Sequence, residues 1–337
     1  MIWMAIMAQS DKFVRAAAIL AAALIALAGA PPAGALEKVR FGLNWLPEGE
    51  HCGFFQAKAT GLYDKAGLDV DLRSGGPDTN VAILAAAGQL DMAMGSSFTT
   101  LNLMGQGTAA LTVAAYLQKD PQTLVAHPGQ GVATLADLKG KPIMIARFSQ
   151  GEFWQFLKAK FGYTDDQLRP YTYNSAVFLS DPKSAQQGYV TEDAFFLGKE
   201  MKEPPIVLLL ADYGYQNYAS TVFALKSYVD TKRPIVKAFV EATAQGYQQC
   251  MTGDYTPAMK AVMIANPDHG EPLFHFKIKQ MREREMVAGG DAKLWGIGAM
   301  SDARWKDFFD TMVSSSVYPA TLDYKAGYTL EFSNKKP

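Results

Sequence analysis

Residues 38–72 read KVRFGLNWLPEGEHCGFFQAKATGLYDKAGLDVDL and contain two alternating segments on either side of an apolar one. In residues 39–43 and 68–72, apolar side chains alternate with polar residues or glycine, which is the pattern of a half-buried β-strand. Residues 53–61 carry phenylalanines and alanines and end at a glycine, which is typical of a helix and its C-terminal cap. A strand, a helix and a second strand at this spacing predict a right-handed βαβ unit with parallel strands.

The same alternation continues along the chain and predicts an α/β fold class with parallel sheets. Predicted strands cover residues 90–94, 111–117, 123–126, 142–146 and 206–210, and predicted helices cover residues 81–87, 135–139, 153–161 and 193–201. From about residue 221 helices dominate, and one of them is predicted from Pro234 to about Cys250. Apolar side chains then recur at helical spacing at Trp305, Phe308, Phe309 and Met312, which predicts a core-facing stripe.

Composition excludes several classes of protein. The chain has 337 residues, 49% of them hydrophobic, and its 32 lysines and arginines nearly balance 33 aspartates and glutamates. A disordered chain has few apolar residues, and nucleic-acid-binding proteins usually carry a marked basic excess, so neither class fits. Two cysteines do not build a disulfide scaffold, and four histidines leave little for a metal site. The length fits roughly two domains.

The first 35 residues have the pattern of a secretory signal peptide. Lys12 and Arg15 form a positively charged segment, and an uninterrupted apolar run follows over residues 16–27. Ala33-Gly34-Ala35 is a small-residue cleavage site. The run is shorter than the ~20 apolar residues of a transmembrane helix, so a retained membrane anchor is the less favoured alternative. We therefore expect an exported protein that is cleaved near Ala35 and is not inserted in the membrane afterwards.

Several motifs together resemble the substrate-binding proteins of ABC importers in the thiamine-pyrimidine, sulfonate and nitrate superfamily. They are Gly42-Leu43-Asn44-Trp45-Leu46-Pro47, Glu50-His51-Cys52-Gly53-Phe54, the segments 57–63 and 66–70, Gly88-Gln89-Leu90-Asp91-Met92-Ala93, and the segment 135–141. The resemblance extends over essentially the whole chain after the signal peptide. It identifies the superfamily, and it leaves the ligand open.

The resemblance implies a type II periplasmic-binding-protein fold, in which two α/β lobes close on a ligand by hinge motion. Lobe 1 is then expected to comprise residues 36–117 and 217–337, and lobe 2 residues 118–216. The two hinge crossovers are expected near residues 116–121 and 212–218. Expected partners are a small-molecule ligand and the permease and ATPase subunits of an importer. The binding protein itself is expected to be a monomer.

Aromatic residues lie in or beside the proposed cleft loops, which follow the carboxyl ends of predicted strands. Flat rings with polar tips suit a planar ligand, because stacking adds to burial while hydroxyls fix the orientation. The candidates are Trp45, Tyr116, Phe148, Tyr189 and Tyr215. The alternative interpretation is that aromatic residues at strand ends simply belong to the core.

Three polar residues are candidates for binding a heteroaromatic ligand. Glu192 ends the stretch Gly188-Tyr189-Val190-Thr191-Glu192, and in pyrimidine-binding relatives an acidic residue in such a stretch is a plausible partner for an exocyclic amine. The alternative for Glu192 is a favourable charge at a helix N-terminus. Glu50 and His51 occupy the positions where the resembled pattern commonly has Asn-His. His51 therefore matches the pattern, whereas Glu50 replaces its asparagine. His51 either bonds a ring nitrogen of a ligand or caps the following helix.

A second binding hypothesis concerns an anion such as a sulfonate, nitrate or an aromatic acid. Ser96 and Ser97 follow a predicted strand and open a helix, and the free N–H groups of a helix start bind anions. The alternative is that these hydroxyls are ordinary capping residues. Arg147 follows the predicted strand 142–146 and has the planar guanidinium that holds a carboxylate or sulfonate.

Fungal pyrimidine synthases share the fold that the resemblance implies, so catalysis is a third hypothesis. Their pattern has a lysine that binds pyridoxal phosphate, a sacrificial histidine and a cysteine-rich iron motif. This chain places Gly95 at the lysine position and Thr99 at the histidine position, and it lacks the cysteine-rich motif. We therefore expect no enzyme activity, no cofactor and no metal.

Cys52 and Cys250 are both expected in lobe 1 of an exported protein, so a disulfide between them is one alternative. Only geometry decides between that and two free thiols. Two separate buried thiols are the expectation from the sequence.

Overall fold

The βαβ unit predicted from residues 38–72 is confirmed. The computed structural model describes residues 35–335, so the predicted signal peptide lies, apart from its last residue, outside the described residues. In it, strand β1 (Glu37–Gly42) pairs in parallel with β2 (Leu68–Arg73), and Val39 lies opposite Val70. A helix between the two strands begins at Cys52 and ends at Ala59.

The remaining elements follow in the predicted order. The further strands are β3 (Met92–Gly95), β4 (Ala110–Leu117), β5 (Gln122–Ala126), β6 (Ile143–Ile145), β7 (Leu168–Pro170), β8 (Ala185–Tyr189), β9 (Ile206–Leu209) and β10 (Ala219–Leu225). The helices are α1 (Cys52–Ala59), α2 (Leu62–Lys65), α3 (Val81–Ala86), α4 (Ser97–Gly105), α5 (Arg147–Gln150), α6 (Phe153–Phe161), α7 (Ala176–Ser180), α8 (Asp193–Glu200), α9 (Lys226–Thr231), α10 (Arg233–Thr252), α11 (Thr256–Ala265), α12 (Glu271–Glu283), α13 (Ala292–Trp295) and α14 (Asp302–Ser314). Short 3-10 turns occupy Gly49–His51, Leu135–Leu138, Asp165–Gln167, Leu210–Tyr213 and Tyr324–Gly327. Across residues 35–335, no helix combines the length and the hydropathy that a bilayer crossing requires.

The strands described here form two five-stranded sheets with matching strand orders. The first sheet has the order β2-β1-β3-β10-β4, and the second has the order β7-β6-β8-β5-β9. Three neighbouring strands of each sheet are parallel, whereas β10 and β5 run antiparallel to both of their neighbours. The α/β class is confirmed, and the expectation of wholly parallel sheets is wrong at these two strands.

Two crossovers explain the antiparallel strands. The chain leaves the first sheet after β4 at Leu117 and enters the second at Gln122. It leaves the second sheet after β9 at Leu209 and re-enters the first at Ala219. Each of β5 and β10 therefore enters its sheet directly from the other sheet, without the helical return that makes neighbouring strands parallel. We call the regions built on the first and second sheets lobe 1 and lobe 2.

The C-terminal helix α14 joins a core that contains side chains from both lobes. Its predicted stripe is confirmed, because Trp305, Phe308, Phe309 and Met312 are all buried. They share one hydrophobic cluster with Trp154 of α6 in lobe 2 and Phe98 of α4 in lobe 1. Burial of this stripe therefore ties the end of the chain to the region where the lobes meet.

The expectation of two free thiols is wrong, because Cys52 of α1 and Cys250 of α10 form a disulfide with their Cα atoms 6.3 Å apart. Glycines let these helices approach closely. A Cβ atom on Gly53 would lie 2.0 Å from the ring of Tyr247, and one on Gly246 would lie 2.1 Å from the carbonyl oxygen of Gly53. Sequence alone does not reveal this helix contact, and it is the contact that brings the two sulfurs together.

Candidate functional site

Loops of the two lobes meet through polar side chains. The loop after β1 supplies Glu48 and Glu50 of lobe 1, and the loop after β8 supplies Thr191 and Glu192 of lobe 2. The Thr191 hydroxyl donates a hydrogen bond to the Glu50 carboxylate across the interface. Both loops follow the carboxyl ends of strands, where α/β sheets place their ligand-binding loops. We therefore take this interlobe region as the candidate cleft.

A buried lysine forms the centre of the contact between the lobes. Lys277 of α12 is fully buried, and its Nζ lies 2.9 Å from Glu48 Oε2, 3.0 Å from Glu50 Oε2 and 2.5 Å from Glu192 Oε2. We call these four residues, together with Thr191, the Lys277 network. Glu48 and Glu50 belong to the same lobe as α12, whereas Glu192 belongs to the other, so the ammonium bridges the lobes.

Lys277 is a site residue that the sequence analysis missed. The signal that could have revealed it is the helical spacing of Lys277 with Phe274, Ile278 and Met281, which are buried on the same face of α12. A lysine in the middle of an apolar stripe is buried only when it is paired with acidic groups. The partners themselves lie more than 80 residues away in sequence, so their identity requires the tertiary structure.

The two carboxyls of lobe 1 have opposite protonation preferences. Burial opposes the ionisation of Glu50, but the Lys277 ammonium and the Thr191 hydroxyl outweigh it and lower the pKa of Glu50. Burial and the neighbouring Glu50 charge raise the pKa of Glu48 to about 8. The three surrounding carboxyls raise the pKa of Lys277 despite its burial. At neutral pH the network therefore holds an ionised Glu50 and Lys277 beside a mostly protonated Glu48.

His51 is buried and lies next to this network. Its Nδ1 accepts a hydrogen bond of 3.2 Å from the Glu48 backbone N–H, which places the ring proton on Nε2 in the neutral tautomer. Burial lowers the pKa of His51 to about 3, so the ring is neutral at physiological pH. The predicted histidine is therefore at the cleft loop, where it closes the first turn after β1 and also borders the network.

A second polar group lies where the crossovers approach the loop after β6. Asp120 accepts hydrogen bonds from the Gln122 backbone N–H at 2.9 Å and from Asn217 Nδ2 at 2.6 Å, and burial raises its pKa to about 6. Glu152, between α5 and α6, is 6% exposed. Burial and the neighbouring Asp120 raise the pKa of Glu152 to about 8. Tyr215 is fully buried beside Glu152.

The predicted aromatic residues divide between the cleft edge and the core. Trp45 is partly exposed, and its ring lies 5.2 Å from that of Tyr173 in lobe 2. Phe148 is 67% exposed and lies 6.3 Å from the ring of Phe98 in lobe 1. Both pairs cross between the lobes, at the edge of the candidate cleft.

The other three predicted aromatic residues lie deeper. Tyr189 ends β8 and is partly exposed beside carboxyls of both lobes, Glu48, Glu50, Asp120 and Glu152. Tyr215 is buried beside Glu152. Tyr116 is buried in the core of lobe 1, where it stacks on Tyr247 at 4.7 Å and donates a hydrogen bond to the Val240 carbonyl. The structure therefore places Tyr116 in the core of lobe 1 and Tyr215 in the buried hydrophobic cluster that the lobes share, whereas Tyr189 lies beside the candidate cleft.

The residues proposed for an anion already have protein partners or face solvent. Ser96 caps α4 by accepting from the Thr99 N–H, and the Ser97 N–H and hydroxyl both bond the backbone of Tyr218. The Phe98 N–H donates to Asn217 Oδ1. The first N–H groups of α4 are thus occupied. Arg147 is exposed and forms no ion pair within the described part of the chain.

Sequence comparison gives the family. The profile of the family described as NMT1/THI5 like matches residues 48–253, which is more than half of the chain. The chain belongs to the NMT1/THI5-like family. The match includes both cleft loops and both crossovers of this NMT1/THI5-like protein, but not Lys277.

Curated relatives of this NMT1/THI5-like protein are distant. A 4-amino-5-hydroxymethyl-2-methylpyrimidine phosphate synthase from Schizosaccharomyces pombe is 27% identical over 129 residues, covering 37% of the chain and 36% of that protein. The synthase THI11 from Saccharomyces cerevisiae is 29% identical over 108 residues, 32% of each chain. The aligned part therefore spans about a third of the length of these relatives.

Solved structures establish that this NMT1/THI5-like protein has the periplasmic-binding-protein fold. The aliphatic sulphonate binding protein SsuA from Escherichia coli superposes with a TM-score of 0.62 at 13% identity, covering 89% of the chain and 92% of SsuA. The nitrate-binding protein NrtA from Synechocystis superposes with a TM-score of 0.60 at 14% identity, covering 88% and 87%. The fold that the resemblance implied, with two α/β lobes and two crossovers, is confirmed.

Proposed function

We propose that the protein is the periplasmic solute-binding component of an ABC importer and binds a small heteroaromatic ligand that carries an exocyclic amine, such as a formylaminopyrimidine thiamine precursor. The observation that carries the proposal is the combination of side chains between the lobes. Trp45 and Tyr189 supply partly exposed rings, and Glu48, Glu50 and Glu152 supply buried carboxyl groups. Rings stack on a flat ligand, and carboxyl groups accept hydrogen bonds from its amine.

The charge distribution favours an amine over an anion. The cleft region concentrates carboxyl groups, and its buried cation Lys277 is already surrounded by three of them. An anionic ligand needs cations or free N–H groups, and the first N–H groups of α4 are paired with protein acceptors. Receptors for a sulfonate, nitrate or an aromatic acid on the same fold therefore remain the second hypothesis.

Synthase chemistry is not favoured by the residues of the site. A Schiff base with pyridoxal phosphate needs a neutral lysine amine, whereas the ion pairs of Lys277 raise its pKa and keep it protonated. Gly95, at the position of the synthase lysine, has no side chain, and a Cβ atom there would lie 3.0 Å from Thr99 Cβ. A binding role requires neither group, so we propose that the protein is not an enzyme.

Export and importer partners belong to the same proposal. Residues 1–35 supply a signal peptide, and the disulfide between Cys52 and Cys250 fits an oxidising compartment. The lobes, residues 36–117 with 217–337 and residues 118–216, would close on the ligand and present it to a membrane permease whose ATPase drives import. The binding protein itself would be a monomer.

Thermal shift measurements test the proposal. Purified protein without its signal peptide is heated with aminopyrimidines, alkanesulfonates, nitrate and aromatic acids at millimolar concentration. A ligand at a hundred times its Kd stabilises the native state by about 2.7 kcal/mol, which raises the Tm by several degrees for a protein of this size. Stabilisation by aminopyrimidines supports the proposal. Stabilisation by the anions alone would replace it with the second hypothesis, and bound pyridoxal phosphate in the purified protein would replace it with the synthase.

A further inference from the structure

Unlike Glu48, Glu50 and Glu192, Glu152 has no lysine or arginine paired with it among residues 35–335. It lies in the short connection between α5 and α6 and is more than nine-tenths buried. Within residues 35–335, its carboxyl group forms no ion pair, and the side chain with which it interacts is the Tyr215 hydroxyl. A buried carboxyl without an ion pair is costly to the free protein.

The Tyr215 hydroxyl lies beside the Glu152 carboxyl and interacts with it. Tyr215 lies in the second crossover, its side chain is fully buried, and its hydroxyl has no hydrogen-bond partner of normal geometry in the described structure. Its ring is fixed by Phe153, Phe156 and Phe308, at centroid distances of 6.5, 5.4 and 5.8 Å. The packing therefore holds the Tyr215 hydroxyl against Glu152 without a well-aligned hydrogen bond, although buried hydroxyls are normally well paired.

The other carboxyl groups nearby have protein partners. Glu50 and Glu192 are bound to Lys277, and Asp120 accepts hydrogen bonds from Gln122 and Asn217. Glu192, the acidic residue that the sequence pattern selected, is thus already occupied by a protein ammonium. An amine of a ligand would have to compete with that ammonium at Glu192, whereas no cation competes at Glu152.

We propose that Glu152, supported by the Tyr215 hydroxyl, is the residue that recognises the exocyclic amine and adjacent ring nitrogen of the ligand. The inference rests on the proposed function. Glu192 is then a contact between the lobes and not the ligand's acidic partner. A protonated carboxyl donates one hydrogen bond through its O–H and accepts another at its carbonyl oxygen. The N–C–NH2 edge of an aminopyrimidine offers the matching acceptor and donor.

The electrostatic surroundings of Glu152 keep the carboxyl in that protonated form at neutral pH. The groups that face it are Asp120 of the first crossover, Tyr189 of β8, Tyr215 of the second crossover and Tyr318 after α14. Burial and the Asp120 charge raise the pKa of Glu152 to about 8. Burial also raises the pKa of each of these three tyrosines, so none of them ionises between pH 7 and about 9.

Calorimetric titration with 4-amino-2-methylpyrimidine, and with 2-methylpyrimidine as the ligand that lacks the amine, tests the inference. The proteins are the wild type, Glu152→Gln, Glu152→Leu and Glu192→Gln, with circular dichroism to verify folding. Glutamine retains one donor and one acceptor, so Glu152→Gln should bind the aminopyrimidine within about threefold of the wild type. Glu152→Leu has neither group and should lose at least tenfold in affinity, or about 1.4 kcal/mol.

The pH profile separates recognition from a structural role. Above pH 8 the wild type must take up a proton to bind, so its affinity should fall by up to tenfold per pH unit, whereas that of Glu152→Gln should stay level. Glu48 also titrates near pH 8. Glu48→Gln is therefore the control, and it should retain the wild-type pH dependence.

The outcomes distinguish the two proposals. If the wild type does not bind the aminopyrimidine, the proposed ligand class is wrong and the role of Glu152 falls with it. If the wild type binds but Glu152→Leu keeps its affinity, or the loss occurs in Glu192→Gln instead, the role of Glu152 is overturned and the proposed function stands. A level wild-type pH profile above pH 8 also contradicts the inference.

Discussion

The Lys277 network and the surroundings of Glu152 bury carboxyl groups in the same cleft in opposite ways. In the network, one buried ammonium lies within 3.0 Å of three carboxyl groups, and the Thr191 hydroxyl adds a hydrogen bond across the lobes. Around Glu152 no ammonium or guanidinium of residues 35–335 pairs with the carboxyl, and its pKa is raised to about 8. The first arrangement satisfies charge within the protein, so it contributes to structure. The second leaves hydrogen-bonding capacity for a ligand.

The largest effect on stability is expected when the Lys277 ammonium is removed. Lys277→Met leaves Glu50 ionised and buried without its counter-charge, so the free energy of unfolding should fall by about 3–5 kcal/mol. Urea unfolding at pH 7 measures the change. Lys279→Met, on the exposed side of the same helix, is the matched control and should change stability by less than about 0.5 kcal/mol. Equal effects of the two substitutions would contradict the structural role of the network.

Replacement of the individual acids tests their different protonation within the network. Glu50→Gln removes an ionised group and should cost about 2–3 kcal/mol in unfolding free energy at pH 7. Glu48→Gln replaces a carboxyl that is mostly protonated at this pH, so its cost should stay below about 1 kcal/mol. Urea unfolding of both variants measures which substitution lowers the free energy of unfolding more. A larger cost for Glu48→Gln would reverse the assignment of charge.

A third prediction concerns how stability depends on pH in Glu152→Gln. The pKa of Glu152 rises from its ordinary 4.5 to about 8 on folding, so the folded state binds more protons between these pH values. The contribution of this carboxyl to stability is therefore present below pH 4.5 and is lost as the pH rises through 8. Relative to the wild type, Glu152→Gln should gain at least about 1 kcal/mol between pH 5 and 8. Parallel unfolding profiles for the two proteins would show that Glu152 is ionised in the folded state.

The smallest effect is expected at Glu192, whose side chain is 36% exposed. Because the pair with Lys277 is partly solvated on this side, Glu192→Gln should lower stability by less than about 1 kcal/mol. It should also increase the radius of gyration of the ligand-free protein in small-angle scattering, since the charged bridge between the lobes is lost. An unchanged radius together with a tenfold loss of ligand affinity would identify Glu192 as the ligand's partner.

Much of the fold was predictable because it follows from local periodicity. The strands β1 and β2, the helix α6 over residues 153–161 and the stripe from Trp305 to Met312 all match their predicted positions. The antiparallel direction of β5 and β10 was not predictable from periodicity. It depends on where the chain crosses between sheets, and strand patterns carry no information about direction.

The candidate site was predictable in part. The rule that ligand-binding loops follow strands selected Trp45, Glu50, His51, Tyr189 and Glu192. The structure places these residues in or next to the region where the lobes meet. The same reasoning selected Tyr116, whose ring turns into the core, and passed over Glu48, Glu152 and Lys277. These three are recognisable only once burial is known, because an acidic or basic residue in a loop or helix is usually solvated.

The sequence by itself determined the order of strands and helices, the family and the residue types available between the lobes. These depend on short-range periodicity and on motifs that are contiguous in the chain. The tertiary structure decided which charges meet. It brings Lys277 to Glu192 across 85 positions of sequence, joins Cys52 to Cys250 across 198, and buries Glu152 without an ion pair to any described lysine or arginine. Distance and burial set the electrostatic energy of a charged group, and both are properties of the folded chain.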